Sequence, residues 1–67
     1  MNPNYERNIR IYLGNARGVP QVDMAKLEHL TQQRVYQIIA ATEYQLAKGN
    51  PDYWAEYKNQ TGNYGKI

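Results

Sequence analysis

The side chains best suited to molecular recognition in this chain lie in one ten-residue segment. Positions 31–40 read Thr-Gln-Gln-Arg-Val-Tyr-Gln-Ile-Ile-Ala, with three glutamines, one arginine and one tyrosine. A glutamine amide can form two hydrogen bonds to adenine in the major groove of DNA, and an arginine guanidinium can do the same with guanine. Because this set offers directional donors and little charge, it favours reading of base edges over general attraction to phosphate.

Catalysis and metal binding have no comparable set of residues. His29 is the single histidine, the chain has no cysteine, and the six acidic residues form no recognisable pair. The sequence contains no glycine-rich phosphate loop and no Ser-His-Asp combination. We therefore expect no enzymatic activity, no metal, no cofactor and no small-molecule substrate, and we assign His29 to a turn.

Length and charge set broad limits on the fold and on the partner. Sixty-seven residues suffice for one domain with a small core. The formal net charge of +2 permits nucleic acid as a partner without requiring it. No run approaches the roughly 20 apolar residues that a membrane span needs, and residues 1–7 lack the apolar core of a secretory signal. We expect a cytoplasmic protein that contacts no membrane.

Apolar residues recur at helical spacing between segments rich in glycine, proline and asparagine. No alternation typical of strands is present. The sequence predicts an all-α fold, a compact bundle of three to four helices that contains a helix-turn-helix and has no wing. The predicted helices cover residues 4–13, 20–28, 31–48 and 51–59. The domain is expected to span residues 1–60, followed by a flexible tail over 61–67.

Several residues mark where these helices begin and end. Pro20 suits the first position of the second helix, and Thr31 is a good N-cap for the third. Gly49 is expected to stop the third helix. Asn50 and Pro51 together form a strong start signal for the fourth.

The second and third helices meet the steric demands of a helix-turn-helix. A small residue is needed where the two helices cross, and Ala25 lies there. Leu30 would fill the corner after the turn, while Val35 and Ile38 would hold the helix capped by Thr31 on the core. The alternative is an ordinary three-helix bundle whose spacing matches by chance.

The segment Leu30-Thr-Gln-Gln-Arg-Val-Tyr-Gln-Ile-Ile resembles the recognition-helix region of the Mor family of phage-type transcription activators. It is also similar to part of region 4 of primary sigma factors. The resemblance covers roughly residues 7–40 and implies a transcription regulator encoded by a prokaryote or a phage. His29 stands where the family usually has glycine, and Glu28 where it tends to have an apolar or aromatic residue. Leu27 is expected to take over that packing.

Helix geometry selects the residues that would contact DNA. With Val35, Ile38 and Ile39 buried, the exposed face would read bases in the major groove through Gln32, Gln33, Tyr36 and Gln37. Phosphate contacts are assigned to Arg17, Gln21, Lys26, Thr31 and Arg34. The alternatives are a solvated helix face for the first set and ordinary solubility for the second.

A homodimer is expected, because one recognition helix covers few base pairs and a charge of +2 adds little through phosphate neutralisation. Tyrosine suits surfaces that a partner covers, so the candidate dimer contacts are Tyr53 and Tyr57. The second candidate is Ile11, off the main apolar face of the first helix. Trp54 is expected to pack inward.

The sequence thus predicts a transcription regulator that binds double-stranded DNA sequence-specifically and acts as a homodimer. The alternative is a small helical adaptor that binds a protein partner, such as RNA polymerase or a host regulator. The small net charge favours the adaptor, and the glutamine-rich face favours DNA.

Overall fold

Four α-helices and a π-helical turn make up the computed structural model, which describes residues 4–62. The helices are α1 (Tyr5–Ala16), α2 (Gln21–Glu28), α3 (Gln32–Lys48) and α4 (Pro51–Tyr57), and the π-helical turn covers Lys58–Gly62. Every regular element in this range is helical, so the all-α prediction is confirmed.

Most helix ends fall where their capping residues predicted. The Thr31 hydroxyl accepts a hydrogen bond from the Arg34 backbone N–H at 3.1 Å. The Asn50 side chain does the same for Asp52 at 2.9 Å, with Pro51 as the first helical residue. Gly49 ends α3 in the left-handed conformation, at φ 86°. These local bonds satisfy backbone groups that a helix terminus otherwise leaves unpaired.

The end of α1 differs from the prediction, because Gly14 does not break the helix. The helix continues to Ala16, and Gly18, at φ 93°, lies in the connection to α2. A Cβ at position 14 would lie 2.9 Å from the Met24 sulfur. Gly14 therefore allows α1 and α2 to approach closely, which is a packing role that its neighbours in sequence do not reveal.

Two apolar clusters form the core, and α1 contributes to both. The first cluster joins α1, α2 and α3 through Ile11, Met24, Ala25, Val35, Ile38 and Ile39. The second joins α1, α3 and α4 through Ile9, Leu13, Leu46 and Tyr53. Ile11 is only 1% exposed, so its assignment as a dimer contact is wrong. The one-sided interpretation of α1 failed because a second helix covers this face.

Tyr53 and Trp54 exchange the positions predicted for them. Tyr53 is 6% exposed, packs edge-on against Tyr5 at 4.9 Å between ring centroids, and accepts a hydrogen bond from the Asn8 amide. Trp54 is 38% exposed, and its indole N–H donates to the Leu46 carbonyl at 2.8 Å. Tyr53 is therefore a core residue and not a dimer contact, because Asn8 satisfies its hydroxyl at the edge of the core. Tyr57 is half-buried against the same cluster.

Helical structure also extends beyond the predicted end of the last helix at residue 59. The Gln60 amide donates to the Glu6 carbonyl at 3.1 Å and to the Glu56 carboxylate at 2.8 Å. The Thr61 hydroxyl donates to the Tyr57 carbonyl at 2.7 Å. These bonds place Thr61 and Gly62 in the π-helical turn and not in a tail. The rest of the predicted tail, residues 63–67, lies outside the described residues.

A bidentate ion pair joins α1 to the end of α2. The Arg10 guanidinium donates to the two Glu28 carboxylate oxygens at 2.7 and 2.8 Å. Glu28 therefore pairs with the charge of Arg10. At this position the Mor family tends to have an apolar or aromatic residue. Leu27 does not take over that packing, because it is 74% exposed.

Replacing Glu28 by glutamine should destabilise the fold in a pH-dependent way. The hydrogen bonds from Arg10 hold the pKa of the Glu28 carboxyl below its usual value. The unfolded chain then binds more protons between the folded and unfolded pKa values, so the free energy of unfolding rises with pH through that window. Because Arg10 is half exposed, we expect Glu28→Gln to cost at most about 1 kcal/mol at neutral pH.

Urea denaturation of both chains at neutral pH, and again below the folded-state pKa of Glu28, measures this effect. The difference between them should disappear at the lower pH, where the carboxyl is protonated. Glu43→Gln is the control, since it removes an exposed carboxylate that forms no salt bridge within residues 4–62. An equal loss of stability at both pH values would show that the charge of Glu28 is irrelevant.

Thr42 offers a second test of the core. Its side chain is fully buried on α3, and its hydroxyl has no hydrogen-bond partner among the described residues. Burying an unpaired hydroxyl costs free energy that a methyl group does not. Thr42→Val should therefore raise the free energy of unfolding by about 1 kcal/mol. Thr42→Ser keeps the hydroxyl but removes a methyl group, and it should destabilise. A less stable valine variant in thermal denaturation would contradict this account.

Candidate nucleic-acid interface

The connection between α2 and α3 is a three-residue turn with a left-handed residue at its start. His29 has φ 59° and ψ 44° and is the one non-glycine residue with positive φ in the described range. The Leu30 N–H donates to the Ala25 carbonyl at 2.8 Å, and the His29 N–H to that of Lys26 at 3.3 Å. This pair of bonds is the Schellman arrangement that ends many helices. The turn role predicted for His29 is confirmed.

The residues flanking this turn fix α3 against the rest of the protein. Leu30 is half-buried and packs on the first cluster, as expected of the corner residue. Ala25 is 5% exposed and belongs to that cluster, together with Val35 and Ile38. With Thr31 capping its first turn, α3 begins at a defined position and has a buried inner face.

The outer face of α3 presents amides and tyrosines. The buried positions of this helix are Val35, Ile38, Ile39, Thr42 and Leu46. All four residues predicted to read bases are exposed on its first two turns, namely Gln32, Gln33, Tyr36 and Gln37. Tyr36 is 62% exposed. An arrangement of this kind places several hydrogen-bonding side chains along one helix face, at a spacing that the helix fixes.

The predicted phosphate contacts lie at helix ends and in the connections between helices. Arg17 is exposed in the connection that follows α1, and Lys26 is exposed on α2. Gln21, the first residue of α2, is half-buried. The structure brings Thr31 and Arg34 together at the start of α3, where both are exposed. The Thr31 oxygen already accepts from the Arg34 N–H, which leaves its hydroxyl proton free to donate.

Two further residues lie on the outer face of α3, beyond the residues that the sequence predicted to contact DNA. Tyr44 is 62% exposed, and the Lys48 ammonium lies 5.7 Å from the centroid of its ring. Tyr44 lies seven residues after Gln37, and Lys48 lies eleven residues after Gln37. Both therefore fall near the same face of the helix as Gln37. The helical spacing itself was the signal that could have identified them.

The described residues hold no group of three or more histidine, cysteine, aspartate or glutamate side chains that could bind a metal ion. Within residues 4–62, no helix combines the length and the hydropathy needed to cross a membrane. Comparisons with models of protein families, with curated proteins and with solved structures find no match to this chain.

Replacing His29 by glycine should stabilise the turn that positions α3. Glycine adopts the left-handed conformation without the steric cost that a Cβ imposes, and it is the preferred residue at this point of a Schellman motif. We expect His29→Gly to raise the free energy of unfolding by about 0.5–1 kcal/mol. The control His29→Ala keeps the Cβ and should not stabilise. Urea denaturation compares the three chains, and a glycine variant less stable than the alanine variant would exclude strain at this residue.

Proposed function

We propose that this protein binds double-stranded DNA sequence-specifically and regulates transcription, with the first half of α3 reading the major groove. The observation that carries the proposal is the exposed face of Gln33, Tyr36 and Gln37 on a helix that is capped by Thr31 and anchored by a buried inner face. The resemblance of residues 7–40 to the Mor family points the same way. A cytoplasmic protein encoded by a prokaryote or a phage is part of the same proposal.

The dimensions of α3 suit this role. Its 17 residues span about 25 Å, and a major groove is about 12 Å wide, enough to admit an α-helix. Because α3 is already folded against the core, its backbone does not have to be ordered when DNA binds, which lowers the entropic cost of association. Arg34, on the first turn, adds a guanidinium that suits guanine or a phosphate.

The small number of positive charges at the proposed interface supports base contacts as the main source of specific affinity. Of the proposed phosphate contacts, three carry a positive charge: Arg17, Lys26 and Arg34. Neutralising so few phosphates releases few counterions, so general attraction to DNA is weak. Directional hydrogen bonds from the α3 amides would then account for much of the discrimination between sites.

A homodimer on a two-fold site remains part of this proposal, but most of the residues predicted for the dimer interface do not form it. Two of the three predicted contacts, Ile11 and Tyr53, are core residues. Tyr57 is half-buried and supplies little surface by itself. The number of chains per duplex is best measured by sedimentation on the selected site described below.

The test begins with selection of binding sites from a random duplex library, followed by fluorescence titration of the wild type and its variants. Gln33→Ala and Gln37→Ala should each weaken binding to the selected site by about 1–3 kcal/mol, because each amide is expected to pair with a base edge. Binding to unrelated duplex should change much less. Neither variant should alter the thermal denaturation, since both side chains are exposed.

Asn59→Ala is the matched control, because it removes an exposed amide from the π-helical turn, away from α3. It should bind like the wild type. Failure of the library to yield any preferred sequence would overturn the proposed function. A preferred sequence that both glutamine variants bind with unchanged affinity would overturn only the assignment of the reading face.

A further inference from the structure

A groove between α1 and α2 is a second surface with the properties of a binding site. Its volume is about 200 Å³, and its apolar lining includes Ile11, Val19 and Met24. Met24 is an adaptable lining residue, because its unbranched thioether side chain can reshape around different ligands. The groove lies away from the amide face, since no residue of α3 lines it.

Leu27 stands at this groove and is 74% exposed, the highest value among the exposed large apolar side chains of the described residues. An isolated exposed leucine is common on protein surfaces. This one adjoins an apolar groove, so a partner that fills the groove can also cover the leucine. Glu28, the next residue, also lines the groove and is held there by its ion pair with Arg10.

The charges at the groove favour an acidic partner. Arg10 and Glu28 neutralise each other in their bidentate pair. Arg17 also lines the groove, and no salt bridge within residues 4–62 involves it. The lining thus carries two arginines against one glutamate, and the guanidinium of Arg17 is available to bind a carboxylate in bidentate fashion.

We propose that this groove docks an acidic, apolar segment of another protein. One apolar side chain of the partner enters the groove and packs on Leu27 and Met24, and a neighbouring carboxylate pairs with Arg17. Duplex DNA fits this surface poorly, since a phosphate backbone has no apolar group that could cover the exposed leucine or fill the apolar groove. This proposal shares Arg17 with the proposed phosphate contacts and uses none of the base-reading residues.

A random 12-residue peptide library, displayed on phage and selected on the full chain, tests the proposal. The enriched peptides should carry an apolar residue next to aspartate or glutamate. Fluorescence anisotropy with one labelled synthetic peptide then measures the variants. Leu27→Ser and Arg17→Glu should each weaken binding about tenfold or more, as loss of a central apolar or arginine contact does.

Val22→Ser is the matched control, because Val22 is 40% exposed on α2 but does not line the groove. It should bind the peptide within about twofold of the wild type. Peptides without acidic residues, or peptides that bind Leu27→Ser as well as the wild type, would overturn the proposal. So would sedimentation of a dimer that Leu27→Ser dissociates, which would assign the groove to a second copy of the chain. Loss of duplex affinity in Leu27→Ser with unchanged peptide binding would assign it to DNA.

Discussion

The burial of α1 on two opposite sides is the constraint on which the rest of the fold depends. Ile9 and Ile11 are both essentially inaccessible to solvent, although residues two positions apart in a helix point about 160° away from each other. One side is covered by α2 and the other by α4, while α3 contributes to both clusters. A chain of 67 residues has little apolar surface to bury. Sharing one central helix between two small clusters lets every helix contribute to the core.

This arrangement determines which surfaces are left for recognition. Because α3 packs on both clusters through one continuous face, its opposite face is exposed along the whole helix, from the amides of the first turns to Tyr44. On α2, Glu28 is paired with Arg10 and Leu27 lies outside the core. Both residues line the groove between α1 and α2. Both candidate surfaces follow from how the core is filled.

Local signals in the sequence predicted the helix ends, and long-range contacts determined what it missed. Thr31, Gly49 and Asn50 act on backbone groups within a few residues, so their roles could be predicted from the sequence alone. Gly14 looked like a breaker because its use depends on Met24, ten positions later and on another helix.

The order of Tyr53 and Trp54 was likewise decided at a distance, by Asn8 and Tyr5 on α1. Periodicity did place the four candidate base-reading residues on an exposed face. It could not show that Ile11 is covered from a second side.

Arg17 is the one residue that both proposed interactions use. A single guanidinium cannot pair fully with a phosphate and with a partner's carboxylate at once, so the two ligands would compete for it. Because such coupling is reciprocal, an acidic segment in the groove would weaken the DNA complex by the same factor by which DNA weakens the groove complex. Leu27 belongs to the groove alone and Gln33 to the amide face alone, so the two interactions are separable by mutation while remaining linked through one charge.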